Sequence, residues 1–380
     1  MSIELISPVN KAIICPIKNL AKDYIDNMHR HYFCDERDYE FTGINCGIEN
    51  FTNTNNYYKR VKFFISQKPV KFLFKSSSKD KMIFSLSLDK DMKNVIYKKT
   101  TTLGQIYVDN LFINKTYFWN VQVNNEKSEV RSFVLGDYIR SISCGKVLNV
   151  RDIGGKMTKF GKRVKQGIIY RGREIVDKTF VDELNSTHNE NLNKTAKKKL
   201  TKLLRGGVEI DLRGKIESNY GTKSVLFNKL NNIEYIRLDE IGAYDHYFVL
   251  DKPQLFDEVK KIFEIIADLN GRTCYLHCVA GADRTGTIIF FLESILGMKY
   301  VDMICDYEYT TFCKDYRNHY NPIPSFRKYM RFPEFYEEIM KYSNEHNLGN
   351  DIQTIIEHFL VKKVGLSKET IGKIRESLLE

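Results

Sequence analysis

Short runs in which hydrophobic and polar residues alternate dominate the first 140 positions of the chain. The clearest runs are VKFLFK (70–75), KMIFSLSL (81–88), NVIYKKTT (94–101), KTYFWNVQV (115–123) and SEVRSFVL (128–135). Such alternation is typical of strands that bury one face, and turn-type or polar residues separate the runs. The pattern predicts an all-β sandwich over residues 1–140, decorated by a helix over NLAKDYIDNMHRHYF (19–33).

The segment LFINKTYFWNV carries a sharper local pattern, because Tyr117 follows Leu111 by six residues. This spacing resembles the tyrosine corner of fibronectin type III domains, in which the Tyr hydroxyl bonds the backbone close to the Leu. Trp119 lies two residues further on, so we expect it to share the inward face of its strand with Tyr117. The resemblance implies a fibronectin- or immunoglobulin-like sandwich, and the alternative is an ordinary aromatic strand.

From about residue 145 onward, strand-like and helix-like stretches alternate. The strand-like stretches are GIIYRG (167–172), VEIDL (208–212), IEYIRL (233–238) and TCYLHC (273–278). Apolar spacing and capping signals predict helices over 195–204, 254–269, 285–298 and the tail LSKETIGKIRESLLE, with Thr195 and Ser367 as N-caps. This alternation predicts an α/β domain over residues 141–380, with a central, mostly parallel sheet flanked by helices.

The composition narrows the class of protein. The chain has 380 residues, of which 42% are hydrophobic, and it contains no apolar run of about 18 residues that would span a membrane. The start MSIELISPVNK lacks the basic and apolar regions of a signal peptide, and the eight cysteines are scattered. These features predict a cytoplasmic protein with free thiols, and they leave non-classical secretion open.

The formal net charge of the chain is +11. A Lys-rich solvated surface accounts for this charge, and attraction to anionic substrates or surfaces is the alternative. We expect no nucleic-acid partner.

The candidate chemistry lies in HCVAGADRTG (277–286), where Arg284 follows Cys278 by six residues. None of the other seven cysteines has an Arg at that spacing. A predicted buried strand leads into Cys278 and a predicted helix follows Arg284, so the short loop turns its N–H groups and the helix N-terminus toward one spot. Such a nest binds anions, and Gly281 and Gly286 permit its tight backbone.

The residues of this loop have predicted roles in phosphate chemistry. The positive field of the nest favours the thiolate form of Cys278, which makes it nucleophilic near neutral pH. Arg284 has a planar fork that can grip two phosphate oxygens, and Thr285 can donate a hydrogen bond to the sulfur. The predicted phosphate-binding residues are Val279, Ala280, Gly281, Ala282, Asp283, Arg284 and Thr285.

Two other interpretations of these residues explain less. Cys274, His277 and Cys278 lie close together, but on a strand the two Cys face one side and the His the other. Zinc sites of this kind usually need a second pair of cysteines, which the chain lacks. A purely structural Cys would leave the Gly and Arg positions unexplained. We therefore expect no metal and no cofactor.

The loop is most similar to the signature loop of cysteine-dependent protein tyrosine phosphatases, in particular to an atypical microbial branch that reads HC-x-AG-x-DRTG. NVRDIGGKMTKFGKRVKQGIIYRGRE (149–174), VEIDLRGKIE (208–217) and the tail VGLSKETIGKIRESLL resemble further motifs of that branch. The likeness covers about residues 145–380. It implies a metal-independent phosphomonoester hydrolase in which Cys278 forms a phosphocysteine, while the loop and Arg284 hold the equatorial oxygens.

The proton donor to the leaving oxygen is open among three residues. Asp283 lies in the loop itself, and the similar microbial phosphatases favour it. Asp245 lies before the helix that leads to the Cys strand, where better-known tyrosine phosphatases carry a mobile acid. Asp239 lies in the same segment. For each of them the alternative is an Asp that makes hydrogen bonds within a turn.

Four further residues are expected to support the site. Asp211 and Arg213 lie at the end of a predicted strand, either near the ligand crevice or as an ion pair that orients the loop. Arg151 and Asp152 are expected to brace the phosphate loop.

The expected substrate is a phosphotyrosine protein or peptide. Loops of the microbial branch commonly carry Lys before the Asp, whereas this chain has Ala282, so one phosphate-facing cation is missing. Three alternatives stay open: a phosphoinositide or dual-specificity phosphatase, a phosphoryl-binding module with little turnover, and an adaptor in which the N-terminal domain binds a protein.

Overall fold

The computed structural model describes residues 3–32, 68–182, 187–204, 206–215, 217, 233–242, 252–313 and 332–380. Contacts divide these residues into two compact units. One unit comprises the described residues within Met1–Lys22 and Gln67–Ser141, and the other those within Asp23–Ser66 and Ile142–Glu380. Among the described residues, the helices are too short or too polar to cross a bilayer.

The N-terminal region consists mainly of strands. Their bounds are β1 Ile3–Ser7, β2 Ala12–Ile14, β3 Val70–Ser76, β4 Met82–Ser87, β5 Val95–Thr101, β6 Gln105–Val108, β7 Thr116–Val123, β8 Glu126–Lys127, β9 Arg131–Leu135 and β10 Arg140–Ser141, and helix α1 covers Asn19–Tyr32. The predicted strands and the predicted helix are therefore present, and β1, β2, β6, β8 and β10 are additional strands that the sequence did not predict.

Two sheets of the N-terminal region share one apolar core. One has the order β1-β3-β6, and the other has the order β2-β9-β7-β4-β5 with β8 beside β7. Phe72 of the first sheet packs edge-on against Trp119 of the second, with ring centroids 5.2 Å apart. The Tyr117 hydroxyl accepts from the Phe112 N–H (2.8 Å) and donates to the Phe112 carbonyl (3.1 Å). Tyr117 and Trp119 are both fully buried, as the alternation predicts.

The second unit has a longer list of elements. Its strands are β11 Arg151–Asp152, β12 Ile169–Arg173, β13 Phe180–Val181, β14 Thr187–His188, β15 Val208–Asp211, β16 Glu234–Arg237 and β17 Cys274–Cys278. Its further helices are α2 Lys194–Leu204, α3 Asp239–Gly242, α4 Phe256–Ala267, α5 Asp283–Ile295, α6 Tyr300–Tyr309, α7 Phe332–His346, α8 Ile352–Lys362 and α9 Lys368–Leu378, with 3₁₀ turns at Pro253–Leu255 and Thr310–Cys313.

A mixed sheet forms the centre of this unit. Strands β12, β17, β15 and β16 lie side by side in that order and run parallel, and β11 pairs antiparallel with β12. Because β17 is flanked on both sides, its five residues are all buried. Cys278 is opposite Arg173 of β12, and His277 is opposite Asp211 of β15. The sheet thus delivers Cys278 to the edge where the parallel strands end, which is where open α/β sheets bind ligands.

Helix packing and capping fix the elements around the sheet. All 13 residues of α5 are buried, which explains why its sequence is apolar on every side.

Ser367 caps α9 as predicted, because its side chain accepts from the Thr370 N–H. The prediction of Thr195 as an N-cap was wrong. Helix α2 begins at Lys194, and the Asn193 side chain accepts from the Ala196 N–H (2.9 Å) instead.

Candidate active site

A four-residue loop joins the central strand to the buried helix. Strand β17 ends at Cys278, and α5 begins at Asp283. Gly281 has a φ of 69°, a left-handed conformation that glycine adopts without strain. A Cβ at Gly281 would lie 2.1 Å from the Gly172 carbonyl oxygen. A side chain cannot be placed there without moving strand β12, so the loop's path depends on this glycine.

The carbonyl groups of the loop all face away from its inner side. The Glu174 N–H bonds the Val279 carbonyl (3.2 Å), and Asn149 and Arg171 bond the next three carbonyls. No described residue accepts a hydrogen bond from the N–H groups of residues 279–282. In a planar trans peptide the C=O and the following N–H point in opposite directions. The N–H groups therefore face the side opposite these partners, as an anion-binding nest requires.

Cys278 lies at the N-terminus of α5 and is 2% exposed. The residue before it, His277, contacts the Cys278 carbonyl through Nδ1 (3.3 Å) and Glu209 through Nε2 (2.9 Å). Burial lowers the pKa of His277, but Asp211 and Glu209 outweigh that effect, so its pKa lies above the usual value. The helix N-terminus in front of the strand end favours a negative charge at this edge.

Arg284 is held in place by a residue that the sequence analysis did not single out. Its Nη1 donates to the Leu212 carbonyl (3.0 Å) and to Glu217 (2.5 Å), and its Nη2 donates to the second oxygen of Glu217 (3.0 Å). Glu217 is the last residue of the quoted VEIDLRGKIE motif, so that motif held the signal. The bidentate pair fixes the plane of the guanidinium while both residues stay largely buried.

The three candidate acids differ in position. Asp283 is the first residue of α5 and is 7% exposed. Asp239 is 39% exposed at the side chain and accepts from the Arg237 Nε (2.7 Å). Asp245 lies outside the described residues. The Thr285 hydroxyl is fully buried at the next turn and has no hydrogen-bond partner among the described residues, Cys278 included.

Asp211 and Arg213 form an ion pair at the end of β15. Arg213 donates through Nε (2.9 Å) and Nη2 (2.7 Å) to Asp211, and through Nη1 to Glu174 (2.9 Å). Burial raises the pKa of Asp211, but Arg213 and His277 outweigh it and hold that pKa far below its usual value. Tyr235 donates a further bond to Asp211 (2.9 Å). Because Asp211 and Arg213 bond each other, an orienting role is favoured over direct contact with a ligand.

Arg151 and Asp152 form hydrogen bonds with different partners. Asp152 accepts from the N–H groups of Gly154 (2.8 Å) and Gly167 (2.5 Å), so it closes the segment between β11 and β12. Arg151 donates to Asp306 of α6 (2.6 Å) and contacts the Asn149 side chain, and Asn149 in turn contacts the phosphate loop. Arg151 thus reaches the loop through one intermediate residue.

Within the basic stretch GGKMTKFGKRVK, the hairpin at 158–163, which a bond between the Thr158 N–H and the Lys162 carbonyl closes, lies far from the loop. Lys156 forms a buried ion pair with Asp302 (3.0 Å). The Lys159 N–H bonds the Gly297 carbonyl (2.8 Å), and the Arg163 N–H bonds the Glu380 carbonyl (2.8 Å). Gly297 follows the C-terminal end of α5, whereas the phosphate loop precedes its N-terminal end, about 20 Å away for a helix of this length. The hairpin at 158–163 therefore supplies no cation to the loop.

Comparison with known proteins gives one family match. Residues 142–380 match the model of a family described as the tyrosine phosphatase family. No curated protein matches the chain. Among the described residues, no group of three or more His, Cys, Asp or Glu side chains is arranged to hold a metal ion.

Proposed function

Because the chain belongs to the tyrosine phosphatase family, we propose that it hydrolyses phosphotyrosine in proteins through a covalent phosphocysteine on Cys278. Family membership makes the protein a phosphatase, and the proposal adds the substrate class and the intermediate. The orientation of the phosphate loop carries the proposal. Its carbonyls are bonded on one side, and its N–H groups face the other side, at the point where Cys278 ends β17 and α5 begins.

The proposed reaction needs only groups that meet at this edge of the sheet. The phosphate dianion binds to the loop N–H groups, with Arg284 beside it. The Cys278 thiolate attacks phosphorus in line, the P–O bond to tyrosine breaks, and the phosphoryl group moves to sulfur. Water then attacks phosphorus, which releases phosphate and restores the thiolate. The N–H groups are fixed before the reaction begins, so they stabilise the transferring phosphoryl group without reorganisation.

The leaving phenolate oxygen takes a proton, and we propose Asp283 as its donor. Asp283 is buried beside Arg284 at the start of α5, whereas Asp239 is half exposed and paired with Arg237. We expect Asp283→Asn to lower kcat on phosphotyrosine about a hundredfold, within the usual range for general acids. The loss on p-nitrophenyl phosphate is expected to be smaller, because nitrophenolate leaves readily without a proton.

Initial rates on both substrates test this role, with Asp239→Asn as the control that retains activity. Equal losses on both substrates would exclude Asp283 as the acid. If Asp245→Asn shows the leaving-group dependence instead, Asp245 takes that role.

Ala282 determines the expected choice of substrate. A phosphotyrosine presents one dianion, whereas a polyphosphorylated inositide carries further charges whose desolvation must be offset by cations. Ala282 offers none, and the basic hairpin lies at the other end of α5. We expect a higher kcat/KM on phosphotyrosine peptides than on phosphoinositides or phosphoserine peptides at about 0.15 M salt, where long-range steering is screened.

A substrate panel measured with the wild type and Ala282→Lys tests this choice. The Lys variant is expected to gain activity on inositides and to change little on phosphotyrosine. A wild-type enzyme that prefers an inositide would overturn the substrate assignment and leave the phosphatase assignment in place. Activity should be the same with and without EDTA, because no step of the proposed reaction uses a metal.

We also propose that the N-terminal region is a fibronectin type III-like sandwich that binds a protein partner, with the domain boundary near residue 140. The shared core of its two sheets and the bond between Tyr117 and the Phe112 backbone support the sandwich.

The last part of the proposal is that the protein is located in the cytoplasm. None of the six described cysteines forms a disulfide, which suits a reducing compartment.

A further inference from the structure

Two buried side chains hold the outer face of the phosphate loop. The Asn149 Nδ2 donates to the carbonyls of Ala280 and Gly281, both at 3.1 Å. The Arg171 Nη2 donates to the carbonyls of Gly281 (3.0 Å) and Ala282 (3.3 Å). Asn149 is 5% exposed and Arg171 is fully buried. Neither side chain lies on the loop's N–H side, so neither is placed to touch a phosphate.

Because each peptide group is planar, the direction of a loop carbonyl also fixes the direction of the N–H group that follows it. When the carbonyls of residues 280–282 point toward Asn149 and Arg171, the N–H groups of residues 281–283 point the opposite way. We propose that Asn149 and Arg171 are positioning residues that aim these three N–H groups at the bound phosphoryl group. This inference rests on the proposed function, because it names the residues that give the proposed anion site its geometry.

The two positioning residues share one anchor on α6. Arg171 and Arg151 each donate to a different oxygen of Asp306, and Arg151 also contacts the Asn149 side chain. Burial raises the pKa of Asp306, but Arg151 and Arg171 outweigh it, so its pKa lies below the usual value and the carboxylate is ionised. The network is closed and buried, so its geometry is set when the protein folds.

The same network places two guanidinium groups behind the loop. Both donate to one carboxylate, Asp306. Burial and Asp306 raise the pKa of the neighbouring Glu293 well above its usual value. Charge-assisted bonds from Arg171 also polarise the peptide groups they contact, which strengthens the N–H donors on the other side. Arg171 therefore acts on an anion that it does not touch.

Oxyanion binding without turnover provides the test. In a Cys278→Ser background, the probe is inorganic tungstate, a tetrahedral dianion, and its Kd is measured by calorimetry. Asn149→Gly removes both side-chain bonds to the loop, together with those to Thr310 and Arg151, and suits the φ of 59° at this position. Arg171→Lys keeps the charge opposite Asp306 but presents all its donors from one nitrogen, so it cannot reproduce the fork in which Nη1 bonds Asp306 and Nη2 bonds the two carbonyls. Each change is expected to weaken tungstate binding at least about tenfold.

Two control variants separate positioning from stability. Asn270→Gly makes the same substitution at another left-handed Asn (φ 50°) that lies before β17. Lys156→Gln breaks the buried pair with Asp302, one turn before Asp306 on α6 and without a bond to the loop. Both controls are expected to keep the tungstate Kd within about twofold, even where the melting temperature falls, because a folded loop binds equally well.

The possible results distinguish an error in the proposed anion site from an error in the positioning role. If Cys278→Ser alone binds no tungstate, the proposed anion site is wrong. If it binds, and Asn149→Gly and Arg171→Lys bind equally tightly, the positioning role is wrong while the proposed function stands. Should Asn149→Gly not fold, Arg171→Lys decides by itself. Restored affinity in Arg171→Lys relative to Arg171→Met would assign the effect to charge and overturn the positioning role of Arg171, whereas equal weakness in both would assign it to the fork of the guanidinium and support that role.

Discussion

Replacing Cys278 with Ser is expected to lower kcat by more than about a thousandfold, as removal of a nucleophile typically does. A hydroxyl at this position is not ionised near neutral pH, so the helix N-terminus and the loop have no anion to activate for attack. Binding should survive, because the N–H groups of the loop and Arg284 do not depend on the sulfur. The variant is thus expected to separate binding from turnover.

The measurement pairs steady-state rates on a phosphotyrosine peptide with the tungstate Kd of the same preparation. Cys274→Ser is the matched control, since Cys274 is buried on the same strand, four residues before the loop. It should retain most of the activity as long as it folds. Residual activity of Cys278→Ser above about a tenth of the wild type would remove Cys278 from the nucleophile role.

Replacing Arg284 with Lys is expected to lower kcat/KM by about 10² to 10³, the range seen when a transition-state donor is removed. Lys keeps the positive charge but presents a single point donor, whereas the planar fork can bond two oxygens at once. Lys also cannot form the bidentate pair that Arg284 makes with Glu217. Most of the loss should therefore fall on kcat, because the charge on the transferring phosphoryl group is redistributed in the transition state.

Glu217→Gln is the companion variant for Arg284. Gln keeps the shape of the Glu217 side chain and one acceptor oxygen. The orientation of the Arg284 guanidinium is therefore less fixed, but its positive charge is unchanged. We expect about a tenfold loss of kcat/KM, between the wild type and Arg284→Lys. An Arg284→Lys enzyme with unchanged kcat would contradict the role of the guanidinium in the transition state. An equal loss in the two variants would mean that Glu217, and not the fork, limits the rate.

The strand–loop–helix arrangement around Cys278 and Arg284 could be predicted from sequence because its signal is local. Cys278, Gly281 and Arg284 lie within seven consecutive positions, and a buried strand and an apolar helix flank them. Periodicity likewise predicted β3, β4 and β7, each with a face that the core buries. It also predicted β5, but that strand buries no face, because Val95 and Ile96 are exposed and only Tyr97 packs partly against the core. In these cases the residues that determine the structure are neighbours in the chain, and their spacing reports their geometry directly.

The supporting contacts could not be predicted in the same way. Asn149 and Arg171 reach a loop more than 100 positions later, and Arg284 meets Glu217 from an adjacent strand end. Such partners are chosen by the sheet order, which no local pattern encodes. Short strands carry little periodic signal: neither β2, with three residues, nor β6, with four, was predicted, although β15 and β16, with four residues each, were. Thr195 and Asn193 are both good capping residues, and only the helix start distinguishes them.

If the phosphoryl group passes through sulfur, a covalent intermediate can be trapped. The wild-type enzyme is mixed with a phosphotyrosine peptide labelled in the phosphate, denatured during turnover, digested and examined by mass spectrometry. We expect labelled phosphate on the peptide that carries Cys278, and none in the Cys278→Ser variant. Steady turnover with no covalent phosphate, or with the label on a different residue, would contradict it.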